Sequence, residues 1–172
     1  TQHSYFNLDG NRSDTNKQHT LQVDAKKYLT MNDVGVPTAM QPTAGSDLDM
    51  AKATPMSVQT ERPALAATKG FDHCYVLDNP GADLQRFGCL ASPNSGRNMT
   101  VYTNQPGVQV YGANFLQGTV GKKQRVLSDH QAVCIEPQML PDSPNQPDLP
   151  GDVWVTPGKV YHHITRYQFD AE

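Results

Sequence analysis

The sequence predicts an all-β protein, a β-sandwich or barrel built from many short strands. Apolar and polar residues alternate with a period of two in several short segments. Turn-forming residues separate these segments, and the 172-residue chain contains 13 glycines and 13 prolines. The periodicity of an amphipathic helix is weak throughout. Short strands joined by Gly- and Pro-rich turns are typical of a sandwich or a barrel.

The first predicted strands lie before residue 104. Residues 21–25 (Leu-Gln-Val-Asp-Ala) alternate with a period of two, and residues 71–77 are mostly apolar. Residues 87–91 and 99–103 flank the sequence Ser-Pro-Asn-Ser-Gly-Arg at 92–97, which has the composition of a turn. We therefore expect a β-hairpin around that turn.

The later strands follow the same pattern. Val-Gln-Val-Tyr at 108–111 comes directly after a Gln-Pro-Gly turn, and an apolar run at 132–135 ends in Glu136. Residues 153–155 lead through Thr-Pro-Gly into a final predicted strand at 160–169. Alternate residues of a strand share a face, and on the last one these are Tyr161, His163, Thr165, Tyr167 and Phe169.

Only one segment is a candidate helix, and one long segment has little pattern. Residues 61–68 are the helix candidate, with Pro63 in the first turn, where proline is tolerated. Residues 38–60 are expected to form a long surface loop. Since there is no internal repeat and no visible boundary, residues 1–172 are interpreted as part of a single domain.

Composition limits the possible partners. The apolar fraction, 37%, is that of an ordinary globular protein. The 14 basic and 17 acidic residues nearly balance, so we expect no nucleic-acid partner. No apolar run approaches the length of a membrane span and no signal peptide is visible, so we expect no membrane partner.

The three cysteines, Cys74, Cys89 and Cys134, include no Cys-x-x-Cys pair. Their odd number argues against a disulfide framework and against a cysteine-based zinc site. Cys74 and Cys134 lie among apolar residues and are interpreted as small buried hydrophobic side chains. Unpaired cysteines fit a reducing compartment, so we expect a cytoplasmic location.

Sequence motifs for phosphate binding and for serine hydrolysis are absent. The adjacent His162 and His163 face opposite ways on a strand and cannot share one metal ion. No other residues at ligand spacing support a metal site, so no metal is expected. Trp154 and the tyrosines either stack on a sugar or pack in the core, and packing is favoured for most of them.

Glu136 is the first candidate for catalysis. It ends an apolar run and precedes a loop with prolines at 137, 141, 144, 147 and 150. A solvated glutamate at a strand end is the simpler interpretation. The prolines reduce the entropy of the loop, and Asp142 is expected to close a turn within it. Such a constrained loop is expected beside a site that must keep its shape.

Two other positions carry candidate polar groups. His3 is either a general acid, since histidine titrates near neutrality, or a histidine hydrogen-bonded at a strand edge. Asp72 and His73 interrupt an apolar strand, which is costly unless both are satisfied. They contact either a ligand or a buried structural partner, and local sequence does not separate these alternatives.

Taken together, several motifs make the chain resemble the aldose 1-epimerases, the galactose mutarotases. Their order and spacing match the family across essentially the whole chain. The motifs are residues 3–8 (His-Ser-Tyr-Phe-Asn-Leu), 70–73 (Gly-Phe-Asp-His), 105–111 (Gln-Pro-Gly-Val-Gln-Val-Tyr) with Asn114-Phe-Leu, Glu136, and 141–145 (Pro-Asp-Ser-Pro-Asn). The closing pattern from Pro157 to Phe169 resembles the terminal strand of the family.

The resemblance implies a large antiparallel β-sandwich with an open sugar cleft. It implies interconversion of the α and β anomers of free hexoses such as galactose and glucose, without cofactor or metal. Glu136 then matches the catalytic base and His3 the catalytic acid. Asp72 and Gln109 match positions that bind sugar hydroxyls, with Gln109 and Tyr111 on one face of their strand.

The resemblance covers only the C-terminal half of the family. It therefore implies a complementary N-terminal half, which in the family supplies an Arg and a second active-site His. Two other functions stay open: a non-catalytic sugar-binding or regulatory module on the same scaffold, and an epimerase for hexose phosphates. The latter requires converging basic residues, whereas Arg86, Arg97 and Arg166 are scattered along the sequence.

Overall fold

The structure is a computed structural model that describes residues 1–10, 13–78 and 83–171. These residues form two five-stranded sheets and only short helices, which confirms the all-β prediction. In chain order the strands are β1 (Thr20–Val23), β2 (Lys27–Met31), β3 (Pro37–Pro42), β4 (Thr54–Pro55), β5 (Asp72–Val76), β6 (Gln85–Ala91), β7 (Arg97–Thr103), β8 (Gly107–Tyr111), β9 (Cys134–Gln138) and β10 (Thr165–Ala171).

The two sheets are interleaved along the chain. The first sheet has the order β10-β7-β6-β1-β4 and the second has the order β3-β2-β5-β8-β9. All strand pairs are antiparallel in the described part of the chain. Because the chain passes repeatedly from one sheet to the other, each sheet depends on the other for its covered face.

The predicted hairpin at residues 92–97 is confirmed, and it joins β6 to β7. The backbone N–H of Ser92 donates to the carbonyl of Arg97, and the N–H of Gly96 donates to the carbonyl of Ser92. Leu90 and Met99 face each other across the ladder and both are fully buried. Cross-strand apolar contact of this kind stabilises an antiparallel pair and holds its register.

The main hydrophobic core lies between the two sheets. Tyr75 from the second sheet meets Phe87 from the first edge to face, with ring centroids 6.1 Å apart. The Tyr75 hydroxyl donates to the carbonyl of Leu48 at 3.1 Å, so this buried polar group is satisfied. The other core side chains of the strands include Leu21, Val23, Leu90, Met99, Val101, Val108, Val110 and Ile135.

Alternation along the strands gives the second sheet a distinct outer face. Since Val108, Val110 and Ile135 point into the core, Gln109 and Glu136 point to the other side. At one end of that outer face a smaller apolar cluster is formed by Leu29, Cys74, Val76 and Leu140. The other end is polar, and it carries the candidate site.

The prediction of a helix at residues 61–68 is largely wrong. The chain instead forms two short 3₁₀ helices, Met56–Thr60 and Pro63–Leu65, and proline does occupy the first turn of the second. Two further 3₁₀ helices within the described ranges are Lys122–Gln124 and Ser143–Asn145. No described helix has the length and apolar character needed to cross a membrane.

The prediction of a long surface loop over residues 38–60 is also wrong. The segment contains most of β3, all of β4 and a 3₁₀ helix. Leu48, Met50 and Met56 are buried in the main core. Strand β3 lies at the edge of its sheet and is largely exposed on both faces, so it shows no alternation that a sequence pattern could detect.

The final strand begins later than expected. Residues 153–155 and 160–164 form no strand, and β10 covers Thr165–Ala171, paired with β7. Trp154 is 65% exposed, so it does not pack in the core of the described residues. The cysteines follow the prediction more closely: Cys74 and Cys134 are buried and all three thiols are free.

Candidate active site

Three adjacent strands place polar side chains together on the outer face of the second sheet. Asp72 begins β5, Gln109 is central in β8 and Glu136 is central in β9. The register puts Gln109 directly opposite Glu136, and Asp72 directly opposite Tyr111. Directly opposed residues have Cβ atoms about 4.5–5.5 Å apart. Backbone pairing therefore fixes the positions of these groups.

The N-terminal segment lies alongside the start of β9 and brings His3 to the same face. Phe6 and Val133 exchange two backbone hydrogen bonds, each of 2.9 Å. The side-chain amide of Gln2 donates to the carbonyl of Ile135 at 2.8 Å. Because these anchors lie on both sides of His3, its imidazole is held above β9.

His3 and Glu136 place two ionisable groups close together in the site. The distance from His3 Nε2 to Glu136 Oε1 is 3.4 Å. The side chain of His3 is 50% exposed, whereas that of Glu136 is 7% exposed. The His3 ring stacks on Tyr5 with centroids 5.1 Å apart, and its edge meets Tyr111 at 5.8 Å. One group of the pair is thus buried and fixed, and the other faces solvent between two aromatic rings.

Burial is the main cause that raises the pKa of Glu136 above that of an ordinary glutamate. The charge of protonated His3 lowers this pKa, and the carboxylate of Asp72 raises it. Burial also raises the pKa of Asp72, while the hydrogen bond from Gln109 and the charge of His3 lower it. A carboxylate whose pKa is moved toward neutrality is a better proton acceptor at physiological pH.

Gln109 contacts one carboxylate, Asp72, and lies opposite the other, Glu136, in the ladder. Its amide nitrogen donates to Asp72 Oδ1 at 2.7 Å. Its carbonyl oxygen is buried and has no hydrogen-bond partner among the described residues. A buried acceptor without a partner costs free energy, so a ligand hydroxyl that donates to Gln109 Oε1 would relieve that cost.

His73 is separate from this group, although it is adjacent to Asp72 in the sequence. It is buried, since successive residues of β5 face opposite sides of the sheet. Its Nδ1 accepts a hydrogen bond from the backbone N–H of Asp72 at 3.2 Å. Burial lowers the pKa of His73 to about 4. His73 is therefore a neutral structural residue.

Three side chains in the site were not predicted from the sequence to have a role in it. Tyr5 and Tyr111 are the aromatic neighbours of His3. Cys134 lies two residues before Glu136 on the same face of β9, and the period of a strand was the signal that could have identified it. The ligand atoms of His3, Cys134 and Glu136 all lie within 4.8 Å of one another. Burial and the nearby Glu136 charge raise the pKa of the Cys134 thiol, so it is protonated at neutral pH.

Strand β9 continues past Glu136 to Gln138, so the expectation that Glu136 ends the strand is wrong. The loop that follows the strand is fixed by side-chain contacts. It does turn at Asp142, but the carboxylate accepts from the side-chain amides of Asn145 (2.5 Å) and Gln146 (3.0 Å) rather than from backbone N–H groups. The Gln146 amide also donates to the carbonyl of Pro37 at 2.9 Å, which ties the loop to β3. These contacts limit the movement of the chain that leaves β9.

The arrangement has the chemistry of an acid–base site for a neutral polar ligand. A buried carboxylate and an accessible imidazole can exchange protons with a molecule placed over them. The amide and the second carboxylate offer hydrogen bonds to hydroxyl groups, and tyrosine rings line one side.

Comparison with known sequences identifies relatives over nearly the whole chain. The sequence profile of a family described as aldose 1-epimerase matches residues 1–168. An aldose 1-epimerase from Escherichia coli is 35% identical over 175 residues, which cover 100% of this chain and 50% of the relative. A human galactose mutarotase is 37% identical over 174 residues, covering 99% and 49%. The chain spans about half the length of the curated relatives it matches.

Solved structures with the same fold show the same coverage. A GalM/aldose epimerase homologue from C. elegans superimposes with a TM-score of 0.83 and 26% identity, over 98% of this chain and 50% of that one. A galactose 1-epimerase from Lactobacillus acidophilus superimposes with a TM-score of 0.73 over 97% of this chain and 47% of that one. Its identity is 22%, and that likeness shows the fold alone.

Proposed function

The chain belongs to the aldose 1-epimerase family, and we propose that the protein containing it interconverts the α and β anomers of free hexoses such as galactose and glucose. The observation that supports this most directly is the pairing of buried Glu136 with exposed His3 at 3.4 Å, next to hydroxyl-binding groups. Opening a sugar ring requires a base at the anomeric hydroxyl and an acid at the ring oxygen.

In this proposal Glu136 is the base and His3 is the acid. Glu136 accepts the proton of the anomeric hydroxyl while His3 donates a proton to the ring oxygen, and the ring opens to the aldehyde. Rotation about the C1–C2 bond and the reverse transfers close the ring as the other anomer. The exposed side of His3 suits contact with a sugar that enters from solvent, and the raised pKa of Glu136 suits a base.

Asp72 and Gln109 are proposed to hold the sugar hydroxyls. Asp72 is an acceptor, and Gln109 offers the buried carbonyl oxygen that lacks a partner among the described residues. The rings of Tyr5 and Tyr111 would contact the apolar faces of the sugar. All the protons transferred in this scheme move between the sugar and the residues of this chain, so the proposal requires no cofactor.

We also propose that residues 1–172 form the C-terminal portion of one mutarotase-like sandwich, and that an N-terminal half completes it. The chain spans about half the length of its curated relatives. Large apolar side chains are exposed near its C-terminal end, including Trp154 at 65%, Phe169 at 57% and Val160 at 88%. A strand edge and apolar surface of this kind are typical of an incomplete interface.

The three free cysteines support a cytoplasmic location.

The test of function is polarimetry of freshly dissolved α-D-galactose with the full-length protein, Glu136→Gln and Glu61→Gln. Glu61 is an exposed glutamate outside the site and serves as the matched control. We expect Glu136→Gln to lower turnover by about 10²- to 10⁴-fold, the usual contribution of a general base. Glu61→Gln should retain the rate of the unchanged protein.

Binding of galactose, followed by saturation-transfer NMR, separates the alternatives. If the unchanged full-length protein binds galactose but equilibrates the anomers no faster than buffer, the protein is a binding module. If Glu136→Gln keeps full turnover, the assignment of the base is wrong. Comparing the 172-residue chain alone with the full-length protein tests whether the proposed N-terminal half is needed. Equal activity of the two would show that it is not.

The described residues provide no support for a hexose-phosphate epimerase. Arg86, Arg97 and Arg166 all lie in the first sheet, away from the site. Each is already engaged: Arg86 with Asp24, Arg97 with the carbonyl of Leu8, and Arg166 with the ring of Tyr102. None of the three converges on the polar face of the second sheet.

A further inference from the structure

We propose that His3 Nε2, Cys134 Sγ and a carboxylate oxygen of Glu136 form a binding site for a thiophilic divalent cation such as Zn²⁺ or Cd²⁺, and that its occupation blocks the acid–base pair. Binding rests on the geometry of these three residues, whereas inhibition rests on the proposed function.

The geometry is close to that of a tetrahedral zinc site. Zn–N and Zn–O bonds of about 2.0–2.1 Å give ligand–ligand distances of about 3.4 Å in a tetrahedron, and a Zn–S bond of about 2.3 Å gives about 3.6 Å. The His3–Glu136 distance of 3.4 Å already fits. All three ligand atoms lie within 4.8 Å of one another. Movement of the half-exposed His3 and rotation of the Cys134 side chain would close the remaining gap.

The strand fixes two of the three ligands. Cys134 and Glu136 are two residues apart in β9, so both side chains lie on its outer face. Pairing with β8 places them opposite Tyr111 and Gln109, respectively. The third ligand comes from the N-terminal segment. A chelate assembled from one strand and an adjoining segment needs only a small movement of one partner to close.

The donor set has the composition of a zinc site that keeps an open position. Thiolate, imidazole and carboxylate are the ligand types that Zn²⁺ uses, and three protein ligands leave a fourth position for water or another small molecule. The second carboxylate, Asp72, adds negative charge near Glu136. Binding would release the thiol proton of Cys134 to the buffer, as metal–thiolate formation requires.

A cation bound at this site would affect the proposed reaction directly. A cation bound to Glu136 and His3 takes the lone pairs through which both groups transfer protons. Neither residue can then act on a sugar. The expected effect is reversible inhibition, relieved by a chelator. Cys134 would bind the metal, and it has no part in the proposed acid–base step.

The binding test uses Cd²⁺ alone and requires no sugar. We expect one equivalent to produce the ultraviolet thiolate-to-cadmium charge-transfer band, with saturation followed in parallel by calorimetry. In Cys134→Ser the band should be lost and the affinity for Cd²⁺ should fall at least 10- to 100-fold. Removal of a residue that only supports a metal ligand already costs that much, so removal of a ligand should cost no less. The matched control is Cys89→Ser, because Cys89 lies in the first sheet. That variant should bind as the unchanged protein does.

The other variants keep the result decisive. His3→Ala alters a half-exposed side chain and should weaken Cd²⁺ binding while leaving the fold intact, as checked by circular dichroism. Cys134→Ala replaces Cys134→Ser if the latter does not fold. A charge-transfer band that persists in the Cys134 variant, or that disappears in Cys89→Ser, would overturn the site.

The inhibition test is separate from the binding test. In full-length protein, Zn²⁺ should slow mutarotation and a chelator should restore it. The Cys134 variant, measured against its own metal-free rate, should resist at least tenfold higher Zn²⁺. Tight Cd²⁺ binding without any effect on an active enzyme would refute the blocking role. If the unchanged protein has no mutarotase activity, the proposed function fails, while the charge-transfer result still decides the metal site.

Discussion

Replacement of His3 by glutamine is expected to raise the pKa of Glu136. Burial and the Asp72 carboxylate both raise this pKa, and the protonated imidazole of His3 opposes them. Glutamine keeps a polar side chain of similar reach but carries no charge. The carboxylate thus loses its nearest favourable charge and becomes easier to protonate.

The distance between the two groups sets the size of the effect. At 3.4 Å, two unit charges attract by about 1.2 kcal/mol at the dielectric constant of water and by about 4.9 kcal/mol at an effective value of about 20. Because His3 is half exposed, solvent screening places the interaction near the lower figure. We therefore expect a rise in the pKa of Glu136 when this charge is removed.

Selective ¹³C labelling of glutamate carboxyl groups makes this measurable in the 172-residue chain. The chain contains only three glutamates, Glu61, Glu136 and Glu172, and Glu136→Gln identifies the signal. We expect Glu136 to titrate above the ordinary glutamate value of about 4.3, and higher still in His3→Gln. The matched control is His162→Gln, which alters an exposed histidine outside the site and should leave the titration unchanged.

A second variant, Asp72→Asn, should shift the pKa of Glu136 in the opposite direction. Asp72→Asn removes a like charge, so it should lower the pKa of Glu136. Since a base acts in its ionised form, the acidic limb of kcat/KM should move to lower pH in that variant and to higher pH in His3→Gln. An unchanged or lowered pKa of Glu136 in His3→Gln would show that the two groups are not electrostatically paired.

Three other changes test the fold and the ligand contacts. Gly88→Ala would place a Cβ 2.0 Å from the backbone oxygen of Gln22 in β1. We therefore expect the free energy of unfolding, measured with urea, to fall by at least about 1–3 kcal/mol. Unchanged stability would contradict the close packing of β6 on β1. Asn16→Ala removes amide hydrogen bonds of 2.6 and 3.1 Å to two buried carbonyls. In the same assay the free energy of unfolding should fall by about 2–4 kcal/mol. A smaller change would indicate that water replaces the amide. Gln109→Leu removes the donor to Asp72, so the KM for galactose should rise about tenfold or more in polarimetric kinetics; an unchanged KM would remove Gln109 from the sugar site.

The strands that sequence predicts well are those in the middle of a sheet. Residues 99–103 and 108–111 alternate because one face of each strand is buried in the core. The edge strand β3 is exposed on both faces, so its burial imposes no period on the sequence. The apolar run at 153–155 has no neighbouring strand, and a run of apolar residues alone does not produce a ladder.

Local sequence could identify single site residues, but it could not bring them together. Glu136 was identifiable because a charge ends an apolar run before a braced loop. Its distance from His3 depends on the N-terminal segment lying beside β9, a contact between residues about 130 positions apart. Asp72 and His73 looked equivalent in the sequence, and only the direction of their side chains separates a site residue from a structural one.

The two members of the proposed acid–base pair differ in how firmly they are held. Glu136 is fixed by the β8–β9 ladder and buried, which keeps its position and its raised pKa constant. His3 is held by a short segment at the sheet edge and is half exposed. A half-exposed imidazole held by a short segment can adjust to a sugar that enters from solvent, whereas the ladder keeps the buried carboxylate in place. In the metal site that we propose, the same freedom would let His3 close on a cation beside Cys134.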